Sequence, residues 1–300
     1  MLEFQNVTIY RKKKKIVDNL NLSLEDGVIF GLLGSDQPAK SSILQAATGS
    51  IKPSYGEILL DGDSVSSSDS TYLHIGYMPQ KYGFYEQLTV EEYFEVFLAL
   101  YKVNGRYRSR RVDEVLNLLE MEEYRSSYIS EIPNELKPFL CLGKTILHEP
   151  SWLFFDEPFG DMSPAFRKKM LDCMGMLWEQ GKSLVINSPV FPEINAFLTD
   201  VAVIEGGQVV AKGTIETCYE SFLRSSPIRM RILEGMDEAI RVLRENDQVD
   251  RVTVNGEDVI LLFSGGDQEE AQLLTQLVQA GVTVHHYMRD PVELDQIMWR

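Results

Sequence analysis

Apolar and polar positions alternate through residues 3 to 10, and again through Ile16, Val17, Leu20, Leu22 and Leu24. A period of two over such lengths predicts a pair of antiparallel strands. The basic run Arg11-Lys-Lys-Lys-Lys15 between them reads as a solvated hairpin tip, with a contact to anionic lipid or RNA as the alternative. Alternation then gives way to an unbroken apolar run, Val28 to Leu33, as expected of a strand buried on both faces. A short polar loop follows, and Lys40-Ser-Ser opens a helical pattern from Ile43 to Ala47. Residues Gly56 to Gly62 form another hairpin strand, and a serine-rich turn, Ser64 to Ser70, leads to a strand over Leu73 to Met78.

From Thr89 the apolar spacing becomes helical. Thr89 is a good N-cap, Glu92 completes a capping box, and Leu88 with Tyr93 forms a hydrophobic staple for a helix over Val90 to Tyr101. A basic turn, Arg106 to Arg111, precedes a second helix, Val112 to Leu119, and a third covers Phe139 to Leu147. Helices alone over about residues 84 to 148 look like an insertion between strands of an α/β core. The run Trp152-Leu-Phe-Phe is a buried strand, and the pattern continues with a helix (Ala165 to Glu179), a buried strand (Ser183 to Ile186), a short helix and the strands Val201 to Ile204 and Gln208 to Ala211, with a hairpin at Gly206-Gly207. Beyond the linker signal Ser225-Ser-Pro227, strand, helix, strand, strand, helix, strand alternate in a small α/β layer. The expected domains are therefore 1–224 and 225–300.

Composition narrows the function classes. The chain has 300 residues, 44% hydrophobic, enough for one large or two ordinary domains. No apolar run approaches a membrane span, and the N-terminus does not read as a signal peptide. With 45 acidic against 29 basic residues, the net charge of −16 argues against a nucleic-acid binder. Cys141, Cys173 and Cys218 have neither disulfide-framework nor zinc spacing, which fits a reducing cytosol. His285 and His286 are adjacent on a strand, point to opposite faces and read as structural.

The candidate chemistry begins at Gly34-Ser35-Asp36-Gln37-Pro38-Ala39-Lys40-Ser41-Ser42. Strand, polar loop, then Lys-Ser at a helix start is the order of a phosphate-binding loop. Such a loop needs backbone N–H groups curled around phosphate, a lysine for its charge and a hydroxyl for Mg²⁺. Gly34, Lys40 and Ser41 hold the right offsets, but Ala39 replaces the second glycine of the pattern. Pro38 has no N–H and biases Gln37 away from helical backbone. The second candidate is Asp156-Glu157, carried out at the C-terminal edge of the buried strand, where α/β folds place ligands. Asp156 is expected to hold Mg²⁺ through water and Glu157 to polarise the attacking water. The alternative is a strand-end helix cap beside a surface glutamate. Tyr10, just before the basic tip, is either a platform for a purine base or a half-buried strand tyrosine.

Together these stretches resemble the nucleotide-binding subunit of an ABC transporter, of the exporter type in which the ATPase is a separate polypeptide with a small C-terminal α/β domain. The likeness rests on Gly31-Leu-Leu-Gly34 with Lys40-Ser41, Gly76-Tyr-Met-Pro-Gln80, Leu88-Thr-Val-Glu-Glu, Leu147-His-Glu-Pro150 before Asp156-Glu157-Pro158, and Ile204 to Thr214, in that order. It implies a P-loop (RecA-like) ABC ATPase core with an antiparallel β subdomain and an inserted helical subdomain. It implies ATP and Mg²⁺ as ligands, Tyr10 as the adenine-stacking aromatic, and Gln80 as a residue that senses Mg²⁺ and couples to the membrane partner. It also implies an integral-membrane permease and a second nucleotide-binding subunit, identical or different, as partners. The resulting place in the cell is cytoplasmic, peripheral on the inner face of the membrane. In this family a short cytoplasmic helix of the permease would be received by the Gln80 loop and the aromatic region Phe84 to Tyr101, most of whose aromatics read as core.

Three family elements are absent. Where the LSGGQ signature belongs, the chain reads Ile132-Pro133-Asn134-Glu135-Leu136, with Glu131 and Glu135 bringing negative charge toward phosphate and Pro138 expected as the first residue of the following helix. Ser163 replaces the D-loop aspartate, and Pro189 stands where the switch histidine belongs. Loss of one oxyanion-type donor costs roughly 100- to 1,000-fold in rate, and these losses fall together. The expectation is an ATP-binding transport subunit with hydrolysis slow or absent; the alternative is an inactive pseudo-ATPase with a structural or regulatory role.

Overall fold

The computed structural model describes residues 1–66, 71–188 and 194–289 and divides into two compact units, Met1–Ile215 and Glu216–Arg300. In the first unit, β1 (Leu2–Arg11) pairs antiparallel with β2 (Lys14–Leu24) and with β4 (Tyr55–Leu60), and β5 (Asp63–Ser64) completes a sheet of order β2-β1-β4-β5. Lys12 and Lys13 both take positive φ at the tip of the first hairpin, which matches the strand twist and leaves the basic run in solvent.

The second sheet contains β3 (Ile29–Leu33), β6 (Ile75–Met78), β7 (Trp152–Asp156), β8 (Ser183–Asn187), β9 (Asp200–Glu205) and β10 (Gln208–Gly213), in the order β10-β9-β3-β8-β7-β6. All neighbours are parallel except the β9–β10 hairpin at Gly206-Gly207. Every residue of β3, β7 and β8 is buried, which explains why their sequence is continuous rather than alternating in polarity. The period of two persists in their partners. Trp152 and Phe154 pack with Phe30, Leu44 and the antiparallel sheet, while Leu153 and Phe155 pack with the helices on the other face.

Those helices are α2 (Val90–Leu100), α3 (Gly105–Leu119), α4 (Lys137–Ile146) and α5 (Pro164–Glu179), whereas α1 (Gln37–Ala47) packs against the other face of the parallel sheet. The Thr89 capping box forms as expected, Thr89 Oγ1 accepting from Glu92 N and Glu92 Oε2 from Thr89 N. Two expectations need correction. Arg106 to Arg111 is not a turn but the start of α3, capped by Asn104, whose side chain accepts from Arg106 N. Pro138 is the second residue of α4 rather than the first, because a single 3-10 turn, Asn134–Leu136, runs directly into the helix.

The second unit takes α6 (Ile215–Ser225) with it, so its start lies ahead of the linker signal at 225. It continues β11 (Ile228–Glu234), α7 (Met236–Glu245), β12 (Val249–Asn255), β13 (Asp258–Phe263), α8 (Asp267–Gln279) and β14 (Thr283–Arg289). The four strands form an antiparallel sheet of order β12-β13-β11-β14, a ferredoxin-like βαββαβ arrangement with its own core of Met230, Leu243, Leu261 and Leu277. His285 and His286 are both exposed, and His286 contacts the Met288 sulfur. Among the described residues no helix is long and apolar enough to cross a membrane.

Candidate functional site

The parallel sheet delivers three strand ends to one place. Gly34 follows β3 with φ of 103°, and a Cβ there would lie 2.2 Å from the Ile204 carbonyl oxygen, so glycine alone fits. Asp156 ends β7 and pairs in register with Asn187, which ends β8. Asp156 is 2% exposed and accepts three hydrogen bonds, from Ser41 Oγ (3.0 Å), Asn187 Nδ2 (2.6 Å) and Tyr77 OH (3.3 Å). Burial, with the Asp156 charge second, pushes the Tyr77 hydroxyl well above the ordinary range, so it serves only as a donor. The Asn187 Oδ1 atom is buried and has no hydrogen-bond partner among the described residues.

Lys40 is 3% exposed at this junction. Burial lowers its ammonium pKa to about 8, against the opposing pull of Glu157, Asp156 and Asp36. Glu157 leaves the strand in the left-handed region, φ 52°, fixed by its own N–H donating to the Asn187 carbonyl at 2.7 Å. Both of its carboxylate oxygens accept from side-chain amides, Oε1 from Gln37 Nε2 and Oε2 from Gln80 Nε2. Lys40, Ser41, Gln80, Asp156 and Glu157 are thus brought together as expected.

The loop itself departs from the expectation. Helix α1 begins at Gln37, a turn before Ser41, so the loop is only Gly34, Ser35 and Asp36. Pro38 is not in mid-loop and Gln37 is not driven from helical backbone, because Asp36 acts as N-cap and sets Pro38 in the first turn, where a missing N–H is harmless. From Gln37 to Lys40 the N–H groups are engaged: Gln37 N donates to Ser35 O, Ala39 N to Asp36 O and Oδ1, and Lys40 N to Asp36 O. Ser42 Oγ donates to the Pro38 carbonyl at 2.5 Å. The residues therefore fit a magnesium ion and the charge of a polyphosphate at Ser41, Asp156 and Lys40, but the Ala39 and Lys40 N–H groups are already taken by Asp36.

Tyr10 is 43% exposed and makes an edge contact with Tyr55, ring centroids 6.5 Å apart. Its neighbour Arg11 donates to Gln45 on α1, one turn beyond Ser41. On the far side, Glu135, Glu157, Asp161 and Gln80 line one cavity of about 280 Å³. Ser163 is the N-cap of α5, without a side-chain cap bond, and Pro189 lies outside the described residues. Sequence reasoning missed Tyr77 and Asn187. Asn187 left a signal, a polar residue closing an apolar strand beside the Asp156 strand, whereas Tyr77 left none apart from its place next to the Met-Pro-Gln block.

A family model described as ABC transporter matches residues 17–160. The chain is 29% identical over 198 residues to the probable multidrug ABC transporter ATP-binding protein YbhF of Escherichia coli (strain K12), covering 66% of this chain and only 34% of that protein, about a third of its length. It is 27% identical over 288 residues to the linearmycin resistance ATP-binding protein LnrL of Bacillus subtilis (strain 168), covering 95% of this chain and 91% of that one. Among solved structures, an ATP binding subunit of an ABC transporter aligns with a TM-score of 0.67 at 21% identity, over 74% of this chain and 93% of that chain. That likeness establishes the fold.

Proposed function

The chain belongs to the ABC transporter ATP-binding family, and from that premise we propose that it is the ATP-binding subunit of an export-type membrane transporter, with hydrolysis slow or absent. The observation that carries the proposal is the buried group of Lys40, Ser41, Asp156 and Asn187 at the C-terminal ends of β3, β7 and β8. A purely structural role does not account for a lysine buried to 3% exposure among three carboxylates, nor for the Asn187 oxygen that has no partner among the described residues. Bound Mg-ATP would place its phosphate charge at Lys40. The metal would take the Ser41 hydroxyl, with Asp156 reaching it through water and Gln80 beside it.

The export type is supported by the match to LnrL, which spans the second unit as well as the first. Export-type function implies a membrane permease, docked at the Gln80 loop and the Phe84 to Tyr101 region, and a second nucleotide-binding subunit, with the chain peripheral on the cytoplasmic face. Tyr10 is assigned to the base and Glu157 to the attacking water. The site is in keeping with slow turnover: both oxygens of Glu157 accept from glutamine amides, so an attacking water competes with two held donors for the lone pairs that remain. That same clamp favours the second reading, a pseudo-ATPase that keeps the fold and the permease-docking surface.

The test is ATP binding and phosphate release by the purified chain, alone and reconstituted with its membrane partner. Slow turnover that Glu157→Gln abolishes supports the motor and ends the pseudo-ATPase reading. Absence of Mg-ATP binding at millimolar concentration ends the nucleotide-binding proposal.

A further inference from the structure

The mismatch between the phosphate cradle and the group it is expected to hold has a local cause. A helix N-terminus attracts anions because its first N–H groups lack partners and its dipole is positive there. In α1 the anion is already present. Asp36 Oδ1 accepts from Ala39 N at 3.2 Å, and the Asp36 carbonyl takes Ala39 N and Lys40 N, each at 3.0 Å. Gln37 N is held by Ser35 O at 2.9 Å, and Pro38 has no N–H to offer. The Gln37 side chain then ties this first turn to Glu157 across the cleft.

We propose that the Asp36 carboxylate is a built-in occupant of the phosphate site at the head of α1, fastened in place by the Gln37–Glu157 bond. A nucleotide phosphate must displace it to bind. The inference rests on the nucleotide-binding reading and concerns how that site is filled when no nucleotide is present. The Asp36 carboxylate and a phosphate compete for the Ala39 N–H and for the same end of the helix, so removing the resident charge strengthens nucleotide binding. Asp36→Asn is the informative change, since asparagine caps a helix as well as aspartate but carries no charge. Asp36→Gly removes both the charge and the side-chain cap, and Gln37→Ala cuts only the tie to Glu157.

The experiment is calorimetric titration of the full chain with Mg-ATP, paired with amide hydrogen exchange at Ala39 and Lys40 in the nucleotide-free protein. Asp36→Asn should keep the amide protection and lower Kd about tenfold, the effect of removing one partly screened like charge beside a phosphate. Asp36→Gly should lower Kd to a similar degree while its Ala39 amide exchanges faster, and Gln37→Ala should lower Kd by about threefold. Affinities of Asp36→Asn and Asp36→Gly within twofold of the parent, in a parent that binds, overturn this proposal and leave the nucleotide-binding reading intact. No binding by the parent or by any folded variant overturns both. Should Asp36→Gly fail to fold, as judged by circular dichroism, Asp36→Asn alone decides the outcome.

Discussion

The expected metal side of the cleft and the expected phosphate side meet on α1, at Ser41 and at Gln37 to Lys40, yet they differ in what they leave open. On that first side, Ser41, Asn187 and Tyr77 converge on the buried Asp156 while the Asn187 oxygen has no partner among the described residues, so the group is ordered and still has capacity to bind. On the phosphate side, every N–H from Gln37 to Lys40 that exists is matched to Ser35 or Asp36, and Glu157 is held at both oxygens. The difference teaches that a site can keep its buried charges, which are costly to maintain without partners, while its exposed loop closes on itself at almost no cost. Two sides that share one short stretch of sequence thus differ in three dimensions.

The strongest way to break the comparison is Asp156→Ala. Asn187 is fully buried and loses its acceptor, and Ser41 and Tyr77 lose theirs as well. Stability should fall by about 3 kcal/mol, read from urea midpoints at unchanged slope. A loss below about 1 kcal/mol would mean that the metal side is not an ordered unit and that the contrast with the loop is false.

Lys40 provides a second, smaller test, through pH. Its folded pKa of about 8 lies below the ordinary lysine value. Between about pH 8 and 10 the unfolded chain therefore keeps a proton that the folded chain has lost, and stability rises with pH across that window. The gain is about 2 kcal/mol relative to a Lys40→Met variant, which should lack it. Nucleotide binding runs the other way: phosphates hold the proton on Lys40, so Kd should climb by up to about tenfold per unit above pH 8. Parallel pH profiles for parent and variant would remove Lys40 from the site.

Much of the fold was legible because its signals are local. The Thr89 capping box, the Gly206-Gly207 hairpin and the all-apolar Trp152 strand each specify their own geometry and formed where expected. The basic stretch before Val112 was read as a turn because it has no apolar period; α3 is anchored further along by Val112, Val115, Leu116 and Leu119, and its first turns extend into solvent. In the site, residue identities were legible and their partners were not. Pro38 reads as damage only if the loop runs to Ala39, and where the helix starts depends on whether Asp36 or a later residue caps it. Asn187 and Tyr77 reach Asp156 through strand register and side-chain direction, neither of which is encoded near Asp156 in the chain.

Ser42→Ala sharpens the same contrast with the smallest effect. The Ser42 hydroxyl is buried and donates back to the Pro38 carbonyl four residues earlier, a bond whose loss costs about 1 kcal/mol or less because that carbonyl faces the exposed start of the helix. If the phosphate side is closed on itself, this hydroxyl is committed to the helix and contributes nothing to a ligand. Kd for Mg-ATP in Ser42→Ala should then stay within about twofold of the parent. A weakening of tenfold or more would show that Ser42 leaves Pro38 to hold a phosphate, and the closed loop would have to be one of two states rather than the resting arrangement of α1.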